Sequence, residues 1–317
     1  MSAAEARAAD QNRGSREHLR LSLAAILLEE LTKTYGERRG VEALSLSVPE
    51  GCLFGFLGPN GAGKSTTIRV LTAMLRATRG RASLFGRECW RHGASLRREI
   101  GYLPGDVRLY EWMNGESALR WLSRVRGRDL RREGSELAAR LALDLRTRVR
   151  QMSRGTRQKL GIVLALAHHP RLLILDEPSA GLDPLMQAEF RAILRERAAA
   201  GVTVFFSSHT LGEVEQLCER IAIVREGRLV ADTTLHELRR RSGHVVEITF
   251  CNPSDAAVPP PPFLRVTSCK GATWSGVLTG TPDDLTRYLA GRGIADLSIG
   301  RPDLETLFQS YYAGESS

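Results

Sequence analysis

Apolar positions along the chain change period several times, and each change predicts an element. From Ile26 the chain runs through short β-rich stretches separated by turn residues: ILLEELTKTYG, VEALSLSV and CLFGFLG. After Gly63, the residues Ile68, Leu71, Met74 and Leu75 fall on one face of a helix. ASLFG and IGYLP read as further strands, the second breaking at Pro104-Gly105. From about Asp106 to Arg150 the period is helical, with Ala118, Leu119, Leu122 and Val125, then Leu137 and Leu141; this predicts a helical insert in an α/β domain. A helix opens near Ser153, and the apolar run LLILDEP that follows reads as a buried strand. Asp183 then N-caps a helix with Pro184 at its first position; Phe190, Ile193 and Leu194 line it and Gly201 stops it. VTVFFSSH is another apolar strand, and RIAIVREGRLVAD is a hairpin around Glu226-Gly227.

Past the helix TTLHELRRRSG the pattern shifts to short strands and loops: VVEITF, the Pro-rich VPPPPF, LRVTSC and WSGVLTG. DDLTRYLAGRG, IADLSIG and DLETLFQSYY complete a small α+β unit. The expected organisation is a flexible tail over residues 1–24, a main domain over 25–235 and an accessory domain over 244–317, the boundary falling between about 232 and 244. No internal repeat is visible and only one phosphate loop occurs, so a fused tandem is not expected.

Composition narrows the class. Hydrophobic residues make up 42% and charged residues 26%, enough to bury a core. No run of about 18 apolar residues exists to span a bilayer. The longest apolar run, LSLAAILLEELTKTYG, meets Glu29-Glu30 and lacks a small-residue cleavage site, so no signal peptide is expected and the chain is read as cytosolic. The five cysteines are scattered and odd in number, which suggests neither a disulfide framework nor a zinc site. The net charge of +9 comes without a dense basic run interleaved with aromatics, so it is read as spread over solvated faces, with no nucleic-acid partner. Among the 45 basic residues only Lys33, Lys64, Lys159 and Lys270 are lysines, which makes each lysine conspicuous.

Lys64 stands in GPNGAGKST, which is Gly58, Pro59, Asn60, Gly61, Ala62, Gly63, Lys64, Ser65 and Thr66, between a predicted strand and a predicted helix. That fits G-x-x-x-x-G-K-[ST] in the context the motif requires. Glycines let the backbone wrap closely, and successive N–H groups form an anion nest at the positive end of the following helix. The compact ammonium of Lys64 suits the β- and γ-phosphates, where an arginine fork would not fit, and Ser65 Oγ suits Mg²⁺. In RLLILDEP, Asp176 ends the strand and would hold Mg²⁺ through water; Glu177, one residue on, can polarise an attacking water as a general base. Together the two motifs predict a P-loop NTPase.

The stretch QMSRGTRQKLGIVLALAHHPRLLILDEPSAGLDP resembles the ATP-binding-cassette (ABC) ATPases, and the resemblance covers about Ile26 to Asp232. Ser153-Arg154-Gly155-Thr156 falls where that family carries its signature, usually LSGGQ; Ser153 and Gly155 are retained, Arg154 and Thr156 depart. Asp183 matches the family's D-loop, His209 its switch histidine, and Tyr35 the aromatic that stacks on adenine. The resemblance implies a RecA-like core with an antiparallel β subdomain and a helical subdomain at about 106–150, followed here by the small C-terminal domain. It implies ATP and Mg²⁺ as cofactors, ATP being sandwiched between the phosphate loop of one copy and the signature of a second in a head-to-tail dimer, with a homodimer favoured. It also implies a separate membrane permease subunit and a place at the cytoplasmic face of the membrane. SRGTRQKLG and the tail IADLSIGRPDLETLFQSYY look like the ABC-2 type bacterial exporters, drug-resistance ATPases among them. The alternatives are a cassette ATPase acting on nucleic acid or ribosomes, or a weakly hydrolysing regulatory cassette. No long coiled-coil or zinc insert, as in the repair ATPases, separates Gly58 from Asp176.

One position departs in an informative way. In this family the strand matching IGYLP ends in a glutamine that touches Mg²⁺ and the attacking water; here Gly105 and Asp106 follow. Asp106 replaces the amide from one position along, or a water fills the space, or the site hydrolyses weakly. The aromatic stretch from Tyr110 to Met113 is the candidate contact with the membrane subunit.

Overall fold

The computed structural model describes residues 24–300. The expected tail, up to residue 23, and the stretch DLETLFQSYY lie outside the described residues. The chain divides into two units, Met1–Asp232 and Thr233–Ser317.

In the first unit β1 (Ala24–Tyr35) and β2 (Arg38–Pro49) pair antiparallel. Leu44, Leu46 and Val48 are buried while Ser45 and Pro49 face out, the alternation of a sheet covered on one side. β3 (Leu53–Leu57) is buried almost continuously, as a central parallel strand must be. It leads through the phosphate loop into α1 (Lys64–Leu71). β4 (Arg79–Leu84) returns to β1, and β5 (Arg87–Glu88) folds back on it through Phe85-Gly86, both at positive φ as a two-residue hairpin turn demands. α2 (Cys89–Glu99) and β6 (Ile100–Leu103) follow. Next come α3 (Gly115–Arg126), capped by a reciprocal Asn114–Ser117 box, and α4 (Arg131–Arg140). Gly134 lets α3 and α4 approach: a Cβ there would meet Leu119 Cδ2 at 2.5 Å. A 3-10 turn (Val149–Gln151) leads to α5 (Arg154–Leu166), β7 (Leu172–Asp176), α6 (Pro184–Ala199) and β8 (Thr203–Ser208). α7 (Leu211–Glu215), β9 (Arg220–Arg225) and β10 (Arg228–Thr234) complete the run, the last two joined by Glu226-Gly227 at φ +51° and +79°.

Two sheets result: β2-β1-β4-β5, antiparallel, and β10-β9-β3-β8-β7-β6, whose strands from β9 to β6 are parallel. One core joins them, with Leu28, Leu31 and Leu44 from the first sheet, Phe54, Phe56 and Phe205 from the second, and Ile68 and Leu71 from α1. The Phe205 ring lies 5.0 Å from Phe56 and 6.0 Å from Phe54.

The second unit opens with α8 (Leu235–Ser242), capped by Thr234 and Glu237. β11 (His244–Phe250), α9 (Pro253–Ala256), β12 (Leu264–Lys270), β13 (Thr273–Leu278), α10 (Pro282–Leu289) and β14 (Ile294–Ile299) follow. Their sheet, β12-β13-β11-β14, is antiparallel throughout. Val246, Ile248, Phe250, Leu285 and Leu289 form a separate core around Trp274, whose Nε1–H donates to Ala256 O at 2.9 Å.

Two expectations need correction. α1 ends at Leu71, because Ala73 takes φ +55° and Thr72 Oγ1 donates back to Ile68 O, so Met74 and Leu75 leave the helix and Met74 is exposed. Val125 also faces outward, not into the insert's core, which Ala118 and Leu119 supply. Among the described residues no helix is long and apolar enough to cross a membrane.

Phe205 should be a fold determinant. Phe205→Ala is expected to cost about 3–5 kcal/mol, read by urea unfolding of the first unit; a loss below about 1 kcal/mol would show that the core closes over the gap.

Candidate active site

Four parallel strands deliver the site from their carboxyl ends. β3 delivers the phosphate loop, β7 delivers Asp176 and Glu177, β8 between them delivers Ser207 and Ser208, and β6 at the edge delivers Gly105. The crevice at the strand ends of such a sheet is where ligands bind.

The loop's backbone is possible only with its glycines. Gly63 sits at φ +101° as the N-cap of α1, and a Cβ there would lie 2.6 Å from Gly40 O; one on Gly58 would lie 2.4 Å from Val224 O. Pro59 O accepts the Ala62 N–H at 3.1 Å, closing the turn that carries Asn60 and Gly61, and Ala62 O accepts from Gly227 N, tying the loop to the β9–β10 turn. Lys64 is buried, its ammonium donating to Gly58 O at 2.6 Å and Pro59 O at 3.3 Å. Tyr35, at the end of β1, is 44% exposed, with its hydroxyl 3.5 Å from Thr66 Oγ1 beside the loop and the Lys33 ammonium 5.5 Å over its ring.

Asp176 is buried and its carboxylate is held from both sides. Ser65 Oγ donates to Oδ2 at 2.7 Å and Ser207 Oγ donates to Oδ1 at 2.6 Å. Glu177 takes φ +49°, a left-handed conformation in a non-glycine residue, held by hydrogen bonds from its N–H to Ser207 O and Oγ. The turn throws its carboxylate across to Lys64 Nζ, 3.3 Å from Oε1, and to His209 Nδ1, 2.7 Å from Oε2. Lys64 is aimed at the loop carbonyls, so Oε1 is a buried acceptor with no hydrogen-bond donor from the protein. This acceptor lies one residue from a carboxylate that two hydroxyls hold.

A side chain at residue 105 would start against this pair: a Cβ on Gly105 would lie 3.3 Å from Asp176 O and 3.8 Å from Glu177 Cβ. Asp106 is paired here with a neighbour. It is exposed and its carboxylate bonds Arg108 at 2.8 Å, which holds its pKa below the ordinary carboxylate value. Replacement of the amide by Asp106 would require that exposed pair to open.

The remaining candidates gather elsewhere. Ser153 caps α5, accepting from Thr156 N at 3.1 Å, and Gly155 packs on the backbone of Gly181. Asp183 caps α6, accepting from Met186 N at 2.9 Å. Beside β6 lies a groove of about 700 Å³ lined by Met74, Arg97, Tyr110, Trp112, Trp121 and Arg126 among others, with no carboxylate in its lining. Tyr110 and Trp112 stack at 5.9 Å and are each 70% exposed, whereas Met113, at the end of the aromatic stretch, is buried. Sequence reasoning missed Ser207, read only as strand, and Trp121, read only as helix. The Ser207-Ser208 pair next to His209, ending an otherwise apolar run, was the signal available for the first.

Comparison with known proteins agrees with this geometry. The family model described as ABC transporter matches residues 41–180. The uncharacterised ABC transporter ATP-binding protein YhaQ of Bacillus subtilis is 37% identical over 69% of this chain and 74% of its own. The bacitracin transport ATP-binding protein BcrA of Bacillus licheniformis is 34% identical over 72% and 76%. The daunorubicin/doxorubicin resistance ATP-binding protein DrrA of Streptomyces peucetius is 38% identical over 69% and 68%. Among solved structures, an ATP-binding subunit of an ABC transporter superposes with TM-score 0.65 at 31% identity, over 68% of this chain and 92% of its own. A post-hydrolysis cassette dimer bound to ADP and Pi shares the fold, with TM-score 0.62 at 23% identity over 66% and 98%. A buried lysine in a glycine-built phosphate loop, an acid pair at the neighbouring strand end and these relatives lead to one assignment: the chain belongs to the ATP-binding proteins of ABC transporters.

Proposed function

We propose that two copies of this chain bind ATP between them, head to tail, and that hydrolysis powers export through a separate membrane permease at the cytoplasmic face of the membrane. The observation that carries this reading is the Glu177 carboxylate, set between Lys64 and His209 with one oxygen free of hydrogen-bond donors. Tyr35 would stack on adenine, and the backbone of Gly58 to Thr66 would cradle the phosphates. Arriving phosphates compete with Glu177 for the ammonium of Lys64, which frees the base as substrate binds. Glu177 then draws a proton from water, and His209, on its other oxygen, orients the carboxylate.

Ser65 Oγ and Asp176 Oδ2, 2.7 Å apart, are hard oxygen donors of the type Mg²⁺ takes when phosphates and water complete its shell. Held by these residues, Mg²⁺ would supply positive charge against the bound phosphates. Across the dimer, the second copy's Ser153 and Gly155 at the opening of α5 would meet the γ-phosphate, and Asp183 would lie at the junction. Loss of that phosphate separates the copies, a ligand-driven two-state switch. The relatives named for bacitracin transport and daunorubicin resistance support export as the direction.

The groove beside Tyr110 and Trp112 is the proposed seat of the permease's cytoplasmic segment. Exposed stacked aromatics over an apolar hollow make a binding patch, not an ordinary solvated surface.

Three outcomes are expected. Glu177→Gln should lower the ATPase rate by about 10²–10⁴-fold and leave an ATP-bound dimer visible by size exclusion; rapid hydrolysis by this variant would remove Glu177 from the role of base. Gly105→Gln, which aims an amide at Asp176 and Glu177, should raise the rate by about 10–100-fold and alter the Mg²⁺ dependence; no change would mean that position 105 has no part in catalysis. A photocrosslinker at Trp112 should capture the permease in membranes, and silence there would move the interface elsewhere.

A further inference from the structure

Gln158, in the second turn of α5, is 3% exposed. Its Nε2–H donates to the carbonyl of Pro178 at 2.9 Å, a buried bond between residues twenty apart in sequence. Pro178 directly follows Glu177, whose φ of +49° persists only because its surroundings impose it. The N–H of Glu177 is fixed by Ser207, its own carbonyl accepts from Ala180 N, and the carbonyl of Pro178 is fixed by Gln158. One turn earlier on the helix, Gly155 touches the same loop: a Cβ there would come within 2.3 Å of Gly181 O. The start of α5 therefore grips the segment from Glu177 to Asp183 at two points. That same end of the helix carries Ser153.

We propose that Gln158 is a positioning residue that links the general base of one nucleotide site to the signature turn its own chain lends to the other. The inference rests on the paired-copy reading above. Glu177 cannot turn without moving Pro178, and the Pro178 carbonyl is bonded to α5, so a shift of the base displaces Ser153 and Gly155. A change at one γ-phosphate is then transmitted to the second without any side chain touching both. An unmade bond would also leave the Pro178 carbonyl buried without its donor, which makes the link costly to break.

Gln158→Met keeps the length of the side chain and removes the donor. Its kcat should fall on the order of 10-fold, while nucleotide affinity of the monomer, read with a fluorescent ATP analogue, stays within about 2-fold because the phosphate loop is untouched. Placed in the Glu177→Gln background, the substitution should weaken the ATP-driven dimer by a similar factor of about 10, because the signature turn is loosened. Loss of both properties from one bond is the signature of the link; a packing role would lower the melting temperature without separating kcat from nucleotide affinity. Unchanged kcat overturns the proposal, and so does a fall in kcat with dimer strength intact. If Gln158→Met fails to fold, Gln158→Asn, which keeps the amide but withdraws it from the Pro178 carbonyl, is expected to show the same paired loss. A Glu177→Gln protein that never dimerises with ATP would instead sink the paired-copy reading, and this inference with it.

Discussion

The Asp176 carboxylate, held by one serine from the phosphate loop and one from β8, fixes the geometry on which the site depends. A buried carboxylate is tolerated only when its lone pairs are met, and these two hydroxyls meet them from opposite sides. The consequence is mechanical. β7 cannot slide against β8, and α1 cannot lift from the sheet, without stripping hydrogen bonds from a charge in a low-dielectric place. Glu177 inherits its position from this anchor, being the next residue and bonded to the same Ser207. Strand order matters here as well: with β8 between β3 and β7, the loop and the acids face each other across one strand width.

The helical insert is fastened to the core by charge as well as by packing. Arg140 on α4 pairs with Glu189 and Glu196 on α6. Arg197 on α6 pairs with Glu133 on α4 and donates to His169 Nδ1, which leaves His169 Nε2–H to donate to Glu133 at 3.1 Å. The partly exposed Arg140 pairs contribute little each to stability. Their joint effect is orientation, since α6 begins at Asp183 and so carries the end of the loop that Gln158 holds at its start.

Much of this was legible in the sequence where one physical requirement leaves few residue choices. The phosphate loop needs glycines and one ammonium, and Gly58 to Ser65 supply them in order. The buried strand before Asp176 needs an unbroken apolar run, and the α6 start needs an oxygen at Asp183 and tolerates Pro184. What escaped depends on three dimensions. The length of α1 was overread because Leu75 continues the helical period although Ala73 turns the backbone left-handed. That Asp106 pairs with Arg108 is visible only in the structure. Ser207 ends an apolar run and Gln158 stands between Arg157 and Lys159, and sequence alone does not say which buried partner such a polar side chain has found.

The stacked Tyr110 and Trp112, with Trp121 60% exposed nearby, have a consequence for the cell's economy of subunits. An apolar hollow rimmed by open aromatics and arginines is adhesive until something fills it. On the proposal that this groove seats the permease, a copy without that partner would carry an unfinished surface open to self-association. On the same proposal, the groove would give a physical basis for producing the two subunits in matched amounts.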